Sequence, residues 1–410
     1  GNTASTLLEK SNLAASKRHF DTHFGAKTSS QHAHLRHSRR GVSSPEFDVV
    51  SFDVFDTLLC RTVAAPTDIF ALMQTRLERD FDSRFPAVLV ARFSDFRMGA
   101  ERLLRRRLDL RSGPGVEEMT ITDVYDELAG EFDLGPDDIQ TLTKLEQEVE
   151  LGCLVRSEAN AGLYAAAGRA GKRRIIVSDF IHPADFVERA LRQAGYDGWE
   201  RIFVSSEHGR KKHSGALYDL VLKEIGVTAD RMLHVGDNEH GDIAMAEDRG
   251  LSSLKVPRAP KLALDLMTSA DYAPAVVNRS VRLGSQLALF ANTFCGTEGR
   301  RAPKSRGGPQ MIETAEEAGF LALGPPMLDF ARFILAKARE RGCTQIALFA
   351  RDTYLPYRIL AEILAERGED DIQLCYLLVC GISVTGVDGF TPEDLWNGRI
   401  DDFRRNEELL

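Results

Sequence analysis

Four short apolar runs decide what this chain can fold into: FDVVSFDVFDTLL (47–59), RRIIVSDF (173–180), RIFVSS (201–206) and MLHVGD (232–237). Each is rich in β-branched and aromatic residues and bounded by polar sequence, the pattern of a buried strand. The stretches between them read as helices. Strands that alternate with helices imply an α/β fold built on a parallel, doubly wound sheet.

One interval breaks the rhythm. Residues 61–155 carry helical segments near 67–80, 87–110, 121–132 and 137–152, and read as a helical module inserted between the first strand and the second. Asp137 and Asp138 after Pro136 mark a helix start, and Thr122 ahead of DVYDELAGEF is a second candidate cap. Arg102, Arg105, Arg106, Arg107 and Arg111 cluster in this module. They suit contact with an anionic substrate, and a solvated helix face is the plainer reading.

The flanks differ in texture. Residues 1–45 hold seven Lys or Arg against two acids and five of the ten histidines, without sustained periodicity, and read as a disordered basic tail. His32, His34 and His37 lack Cys or carboxylate partners at ligand spacing. Residues 46–60 and 156–258 then form the core, and 259–318 a helical and linker region containing the Gly- and Pro-rich TEGRRAPKSRGGPQ. From 319 to 410 a helix, a strand, a helix and a further apolar run predict a second, smaller α/β unit. Arg351 and Asp352 follow its first strand, with no nucleophile, metal pair or Gly-rich loop beside them.

Composition removes whole classes of function. A net charge of -9 over 410 residues has the wrong sign for a chain that condenses on a phosphate backbone, so nucleic acid is not an expected partner. The six cysteines contain no CxxC pair, which points away from a disulfide framework or zinc knuckle and toward a reducing, cytoplasmic compartment. The apolar stretch Leu374 to Ile382 is about half the roughly 18 residues needed to span a bilayer, so no membrane insertion is expected. Gly1 rather than Met opens the chain, which leaves open a removed leader.

Acidic or polar residues stand at the carboxyl end of each strand in the first unit, where open α/β sheets gather ligands. Asp53 and Asp56 follow the first strand, Ser178 and Asp179 the second; Lys212 comes from HGRKKHSGALYDLV, and GDNEHGD supplies Asp237, Asn238 and Asp242. These parts suit phosphoryl transfer to a carboxylate with Mg²⁺ nearby: a carboxylate nucleophile, hard oxygen donors for the cation, and a hydroxyl and an ammonium for the phosphate oxygens. Singly, each is an ordinary turn former, helix cap or surface lysine. His234 and His240 read as packing or turn residues.

With SFDVFDTLL, IIVSDF, KHSGALY and HVGDNEHGDIAMA in that order, residues 46 to 258 resemble the haloacid dehalogenase (HAD) superfamily. The resemblance implies a Rossmann-like core with a mobile cap between the first and second motifs, and hydrolysis of a small or sugar-like phosphorylated substrate through an aspartyl-phosphate. It implies Asp53 as nucleophile and metal ligand, and Ser178 and Lys212 as phosphate-binding groups. Phe55, Asp237 and Asp242 join Asp53 around Mg²⁺, with Thr57, Asp179 and Asn238 as substrate-binding residues. Lys212 is preferred to Lys211 because it lies six residues before Tyr218.

One position departs from the family's phosphatases, which carry a second Asp two residues after the nucleophile as general acid and base. Here it is Phe55, whose carbonyl can still face a metal but whose ring cannot move a proton; Asp56, one residue further on, is the catalytic candidate to replace the missing acid. The 2-haloacid dehalogenases of the superfamily also carry an aromatic residue there, so dehalogenation is a competitor. Against it stand the paired acids of GDNEHGD, since those dehalogenases work without Mg²⁺. The wording SFDVFDTLL with VSDF, KHSGALY and a C-terminal ARD unit is also similar to predicted HAD hydrolases found beside or fused to polysaccharide-assembly glycosyltransferases. That likeness implies a glycosyltransferase partner, and a low-turnover scaffold protein as a further alternative.

Overall fold

The computed structural model describes residues 41–81, 83–110, 115–258, 280–295, 314–350 and 352–377. Those up to 295 belong to one compact unit and those from 314 onward to another. The histidines at 32, 34 and 37, and Arg111 and Arg351, lie outside the described residues. Val42 falls within the expected tail yet is fully buried in the first unit's core.

Among its described residues the first unit has seven strands: β1 (Val49–Phe52), β2 (Leu59–Arg61), β3 (Leu154–Arg156), β4 (Arg173–Ser178), β5 (Arg201–Val204), β6 (Met232–Gly236) and β7 (Ser252–Lys255). Five form a sheet in the order β5-β4-β1-β6-β7, every neighbouring pair parallel. The side chains alternate with the period of two that a strand imposes. Val49, Ile175, Val177, Phe203 and Met232 share one apolar cluster, whereas Val50, Phe52, Ile176, Val204, Leu233 and Val235 share another. Apolar residues on both faces are what a parallel sheet covered on both sides requires.

The first apolar run is not one strand through Leu59. It stops at Phe52, because the chain turns back on itself: the Val54 carbonyl accepts N–H groups from Leu58 and Leu59, both at 2.8 Å, and Asp56 takes the left-handed conformation at φ 59°. The turn delivers the chain to β2, which pairs antiparallel with β3 from Leu59↔Arg156 to Arg61↔Leu154. This two-stranded stem is the base of the helical insert.

The insert consists of the helices Asp68–Asp80, Ala87–Ala91, Phe93–Asp109, Ile121–Phe132 and Pro136–Gly152 around Met73, Leu77, Leu89, Phe93, Val124, Leu128 and Leu142. Thr122 does not cap a helix. Thr120 does, two residues earlier: its hydroxyl accepts the Asp123 N–H at 3.1 Å while the Asp123 carboxylate accepts the Thr120 N–H at 2.7 Å, a reciprocal pair that satisfies two free donors. The last helix starts with Pro136 in its first turn, where the missing N–H costs nothing, and Asp138 accepts the Gly135 N–H at 3.2 Å. Of the arginine cluster, Arg105 is bonded to Glu101 at 2.7 Å and Arg107 to Glu127, while Arg102 and Arg106 are exposed. After β7, the helix Val281–Phe290 continues into residues 291–295, and Asn292 donates to the Arg156 carbonyl at 3.1 Å, on the stem.

In the second unit a helical run, Ala315–Glu340, precedes β8 (Gln345–Phe349), the helix Tyr354–Arg367 and β9 (Gln373–Leu377), with β8 and β9 parallel. That run is long and apolar enough to cross a membrane by length and composition. Its Ala331, Leu335 and Ala338 are buried with Leu348, Leu360, Leu364 and Ile372 in the unit's own core.

A buried polar network ties the insert to the sheet. Arg97, fully buried, forks onto Glu146 with both bonds at 2.8 Å, and Tyr125 donates to the same carboxylate at 2.6 Å. His182 Nε2, from the loop after β4, lies 3.4 Å from it. Burial alone would raise the Glu146 carboxyl, but Arg97 and His182 outweigh it and hold the group down to about 2. Its unfolded value is the ordinary 4.5, so its stabilisation is complete above about pH 4.5 and is lost as pH falls toward 2. Glu146→Gln is therefore expected to cost about 3 kcal/mol near neutral pH, since it leaves the buried guanidinium only Glu101, at 2.9 Å, as a charged partner. Urea unfolding at pH 7 and pH 3 should show the gap between wild type and variant narrowing in acid; a gap independent of pH would contradict the assignment.

Candidate active site

The strand order creates the crevice. From β1 the chain moves outward through β4 and β5, then returns to β6 on the other side of β1 and continues to β7. Connections therefore diverge between β1 and β6, and open α/β sheets bind ligands outside the carboxyl ends of their strands at such a point. Asp53 is the first residue after β1 and Asp237 the first after β6. The Asp53 N–H donates to the Val235 carbonyl at 2.9 Å, so the ladder fixes its backbone.

Lys212 enters from the segment after β5. Its N–H donates to Asp179 Oδ1 at 2.7 Å and that of His213 to Oδ2 at 3.2 Å, so both oxygens of Asp179 fasten this loop. The Lys212 ammonium is buried, 2.5 Å from Asp53 Oδ1 and 2.5 Å from Asp242 Oδ1. Its neighbour Lys211 turns instead to Glu118, at 3.5 Å. Between the two lysines, Lys212 is the one in the crevice.

Asp242 is held on every side. The Asn238 N–H donates to its Oδ2 at 2.9 Å, and His234 Nε2 lies 3.3 Å from its Oδ1. His234 is fully buried on β6, and burial lowers its pKa against the pull of Asp242, leaving the ring neutral. A neutral ring that donates from Nε2 must accept at Nδ1, so the Ser51 hydroxyl, 2.7 Å away, is the donor there. Asn238 Oδ1 accepts the N–H groups of His240 at 3.0 Å and Gly241 at 2.9 Å, capping the turn that carries Asp242. Gly236 is required at the end of β6, since a Cβ there would lie 2.4 Å from the Asp242 Cγ.

Asp237 has Thr57 Oγ1 3.4 Å from its Oδ1 and Arg258 Nε 3.1 Å from its Oδ2. Arg258 also bonds the carboxylate of Asp56, which lies beside Asp237. Phe55 turns its ring onto Phe180, with centroids 4.2 Å apart, beneath the Arg61 guanidinium at 4.6 Å. Ser178 ends β4 opposite Val204 of β5, its hydroxyl buried and without a hydrogen-bond partner.

One carboxylate oxygen from each of Asp53, Asp237 and Asp242 lies within 4.8 Å of the other two. Burial, with Asp242 and Asp237 adding to it against Lys212, pushes the Asp53 carboxyl up to about 8. Burial and then Asp56 raise Asp237 to about 6, against Arg258. Burial would raise Asp242 as well, but Lys212 and His234 hold it below the usual range. Lys212 stays charged, raised by Asp242 and Asp53 in spite of its burial.

Asp53, Lys212, Asp237 and Asp242 thus converge, with Thr57 and Asp56 on the Asp237 side; Asp179 and Asn238 hold backbone. Sequence reasoning misses Ser51, reads His234 as a packing or turn residue, and misses Arg258. A polar residue inside an otherwise apolar strand was the available signal for the first two. Placing alanine at Gly236 drives a methyl into Asp242 and is expected to cost about 1–3 kcal/mol of stability with the secondary structure intact. Urea unfolding with circular dichroism measures both, and an unchanged midpoint would show that the carboxylate has room to move.

A haloacid dehalogenase-like hydrolase family model matches residues 47–250. No curated protein matches the chain. Among solved structures, the chain is similar to the L-2-haloacid dehalogenase from Xanthobacter autotrophicus, at 17% identity and TM-score 0.36, covering 65% of this chain and 95% of that one. It is similar to the HAD-hydrolase YfnB from Bacillus subtilis bound to magnesium, at 19% identity and TM-score 0.35, covering 52% and 89%. A 2-haloacid dehalogenase from Pseudomonas syringae matches at 18% identity and TM-score 0.38, over 57% and 99%. With the family model spanning both parts of the sheet domain and the insert between them, residues 47–250 of this chain belong to the haloacid dehalogenase-like hydrolases.

Proposed function

We propose that this domain is a Mg²⁺-dependent hydrolase of a phosphoester on a small or sugar-like molecule, working through an aspartyl-phosphate on Asp53. The observation that carries the reading is the buried Lys212 ammonium between Asp53 and Asp242, with Asp237 completing a set of carboxylate oxygens within 4.8 Å. An all-oxygen set of three carboxylates beside one buried ammonium suits a hard divalent cation. The unpartnered Ser178 hydroxyl fits a phosphate oxygen, since a buried polar group without a partner calls for one. Asp53, Asp237 and Asp242 would hold the ion, with the Phe55 backbone carbonyl. When bound, Mg²⁺ screens the charge of the phosphate and polarises its oxygens.

In this reading an Asp53 oxygen attacks phosphorus, and the bond to the leaving oxygen breaks with its electron pair. Ser178 and Lys212 hold the non-bridging oxygens. Water then attacks the phosphorus, releasing inorganic phosphate and returning the Asp53 carboxylate. The Phe55 ring offers no proton to the leaving oxygen, so that proton comes from water, and esters with a weakly basic leaving oxygen are cleaved best. The same residue favours a second reading, attack of Asp53 on a halogen-bearing carbon, because a departing halide needs no proton. The acids at 237 and 242 favour the first.

Phosphate release from a panel of phosphorylated metabolites, with and without Mg²⁺, tests the proposal beside halide release from 2-chloropropionate. Mg²⁺-dependent phosphate release is expected, falling at least about 10³-fold in Asp53→Asn. Activity that survives this substitution would remove Asp53 as nucleophile. Halide release without Mg²⁺ would establish the second reading instead.

A further inference from the structure

Arg258 stands just beyond β7 and belongs to none of the four motifs. Its backbone is anchored two residues earlier, where buried Val256 donates its N–H to the Gly236 carbonyl at 2.9 Å. From there the guanidinium reaches back over the carboxyl end of β6, bonding Asp56 and placing Nε 3.1 Å from Asp237 Oδ2. The other Asp237 oxygen faces Thr57 at 3.4 Å. The carboxylates therefore divide between two cations: Asp53 and Asp242 share Lys212, and Asp56 and Asp237 share Arg258.

The two cations differ in how firmly they are held. The Lys212 side chain is 4% exposed, so leaving its partners would strand a buried charge. The Arg258 side chain is 47% exposed and can swing into water at little desolvation cost. A divalent ion on Asp237 would meet the guanidinium already resting on one of its oxygens, and like charges in contact repel.

We propose that Arg258 is a resident counter-cation that neutralises Asp237 and Asp56 while no metal is bound and yields to Mg²⁺ in direct competition, so that it sets the metal affinity of the site. It is a positioning residue, acting through Asp237, and the inference rests on the metal-centred reading of the site given above.

Calorimetric titration of the full chain with MgCl₂, without substrate, tests it on wild type, Arg258→Gln and Arg258→Lys, together with thermal melting at zero and saturating Mg²⁺. Arg258→Gln is expected to bind Mg²⁺ about fivefold more tightly, the scale of one half-exposed charge pair, and Arg258→Lys to return near to the wild-type affinity. Without metal the Gln variant should melt below wild type, and saturating Mg²⁺ should erase the difference; a purely structural role would leave it in place. Unchanged or weaker binding in Arg258→Gln, with wild type still binding, overturns the competition alone. Absence of binding in every protein overturns the metal-centred reading as well.

Discussion

Much of the sheet domain is arranged around one buried contact, the Lys212 ammonium shared by Asp53 and Asp242. A charge this deep is tolerated only when its partners are fixed, because removing one leaves an uncompensated ion at a cost of about 3–5 kcal/mol. The fixing comes from four directions. The β1–β6 pairing sets the Asp53 backbone, Gly236 gives Asp242 room, the Ser51–His234 pair backs it, and Asp179 fastens the Lys212 loop. The charges of the site and the packing of the fold are thus one problem with one solution.

The helical insert shares in that solution. The Glu117 N–H donates to the Gly209 carbonyl at 2.8 Å, and its carboxylate accepts from the Lys211 N–H at 2.9 Å and from Ser214 at 2.6 Å, so it braces the segment that holds Lys212. Glu118 is buried beside it between Arg105 and Lys211, its carboxyl raised by burial against both cations. Ile121 bonds the Ile181 carbonyl at 2.9 Å, and His182 meets Glu146. In this arrangement the insert grips the loops after β4 and β5. Arg105, which charge alone marked for an anionic substrate, is engaged in that grip.

The sheet and the four motif positions were legible because their signals are local. A short apolar run ending in an acid says strand and strand end, and alternation with helices says parallel. The choice of Lys212 over Lys211 was legible from its distance to Tyr218, whose hydroxyl donates to the Gly241 carbonyl at 2.9 Å. What could not be read was anything decided by partners far apart in sequence. Asp179 and Asn238 look like ligand-binding residues, yet Asp179 meets the N–H of Lys212, 33 positions away, and Asn238 caps its own turn. Arg258 lies 202 residues from Asp56, and no pattern in either segment announces the pair. The expected end of β1 differs for another reason: Val54 and Leu58 are apolar because they are buried in a turn, and burial without periodicity does not distinguish a turn from a strand.

Phe55 shows why the turn after β1 matters to the chemistry. Next to the reversal at Asp56, Phe55 packs its ring on Phe180 and is covered by the Arg61 guanidinium. An acid at that position would have to be accommodated against an aromatic surface. The carboxylate that follows, Asp56, already has a partner in Arg258. Phe55 thus places no acid two residues after the nucleophile. Under the proposed reading this leaves the leaving group's own basicity as the quantity that governs which substrates turn over.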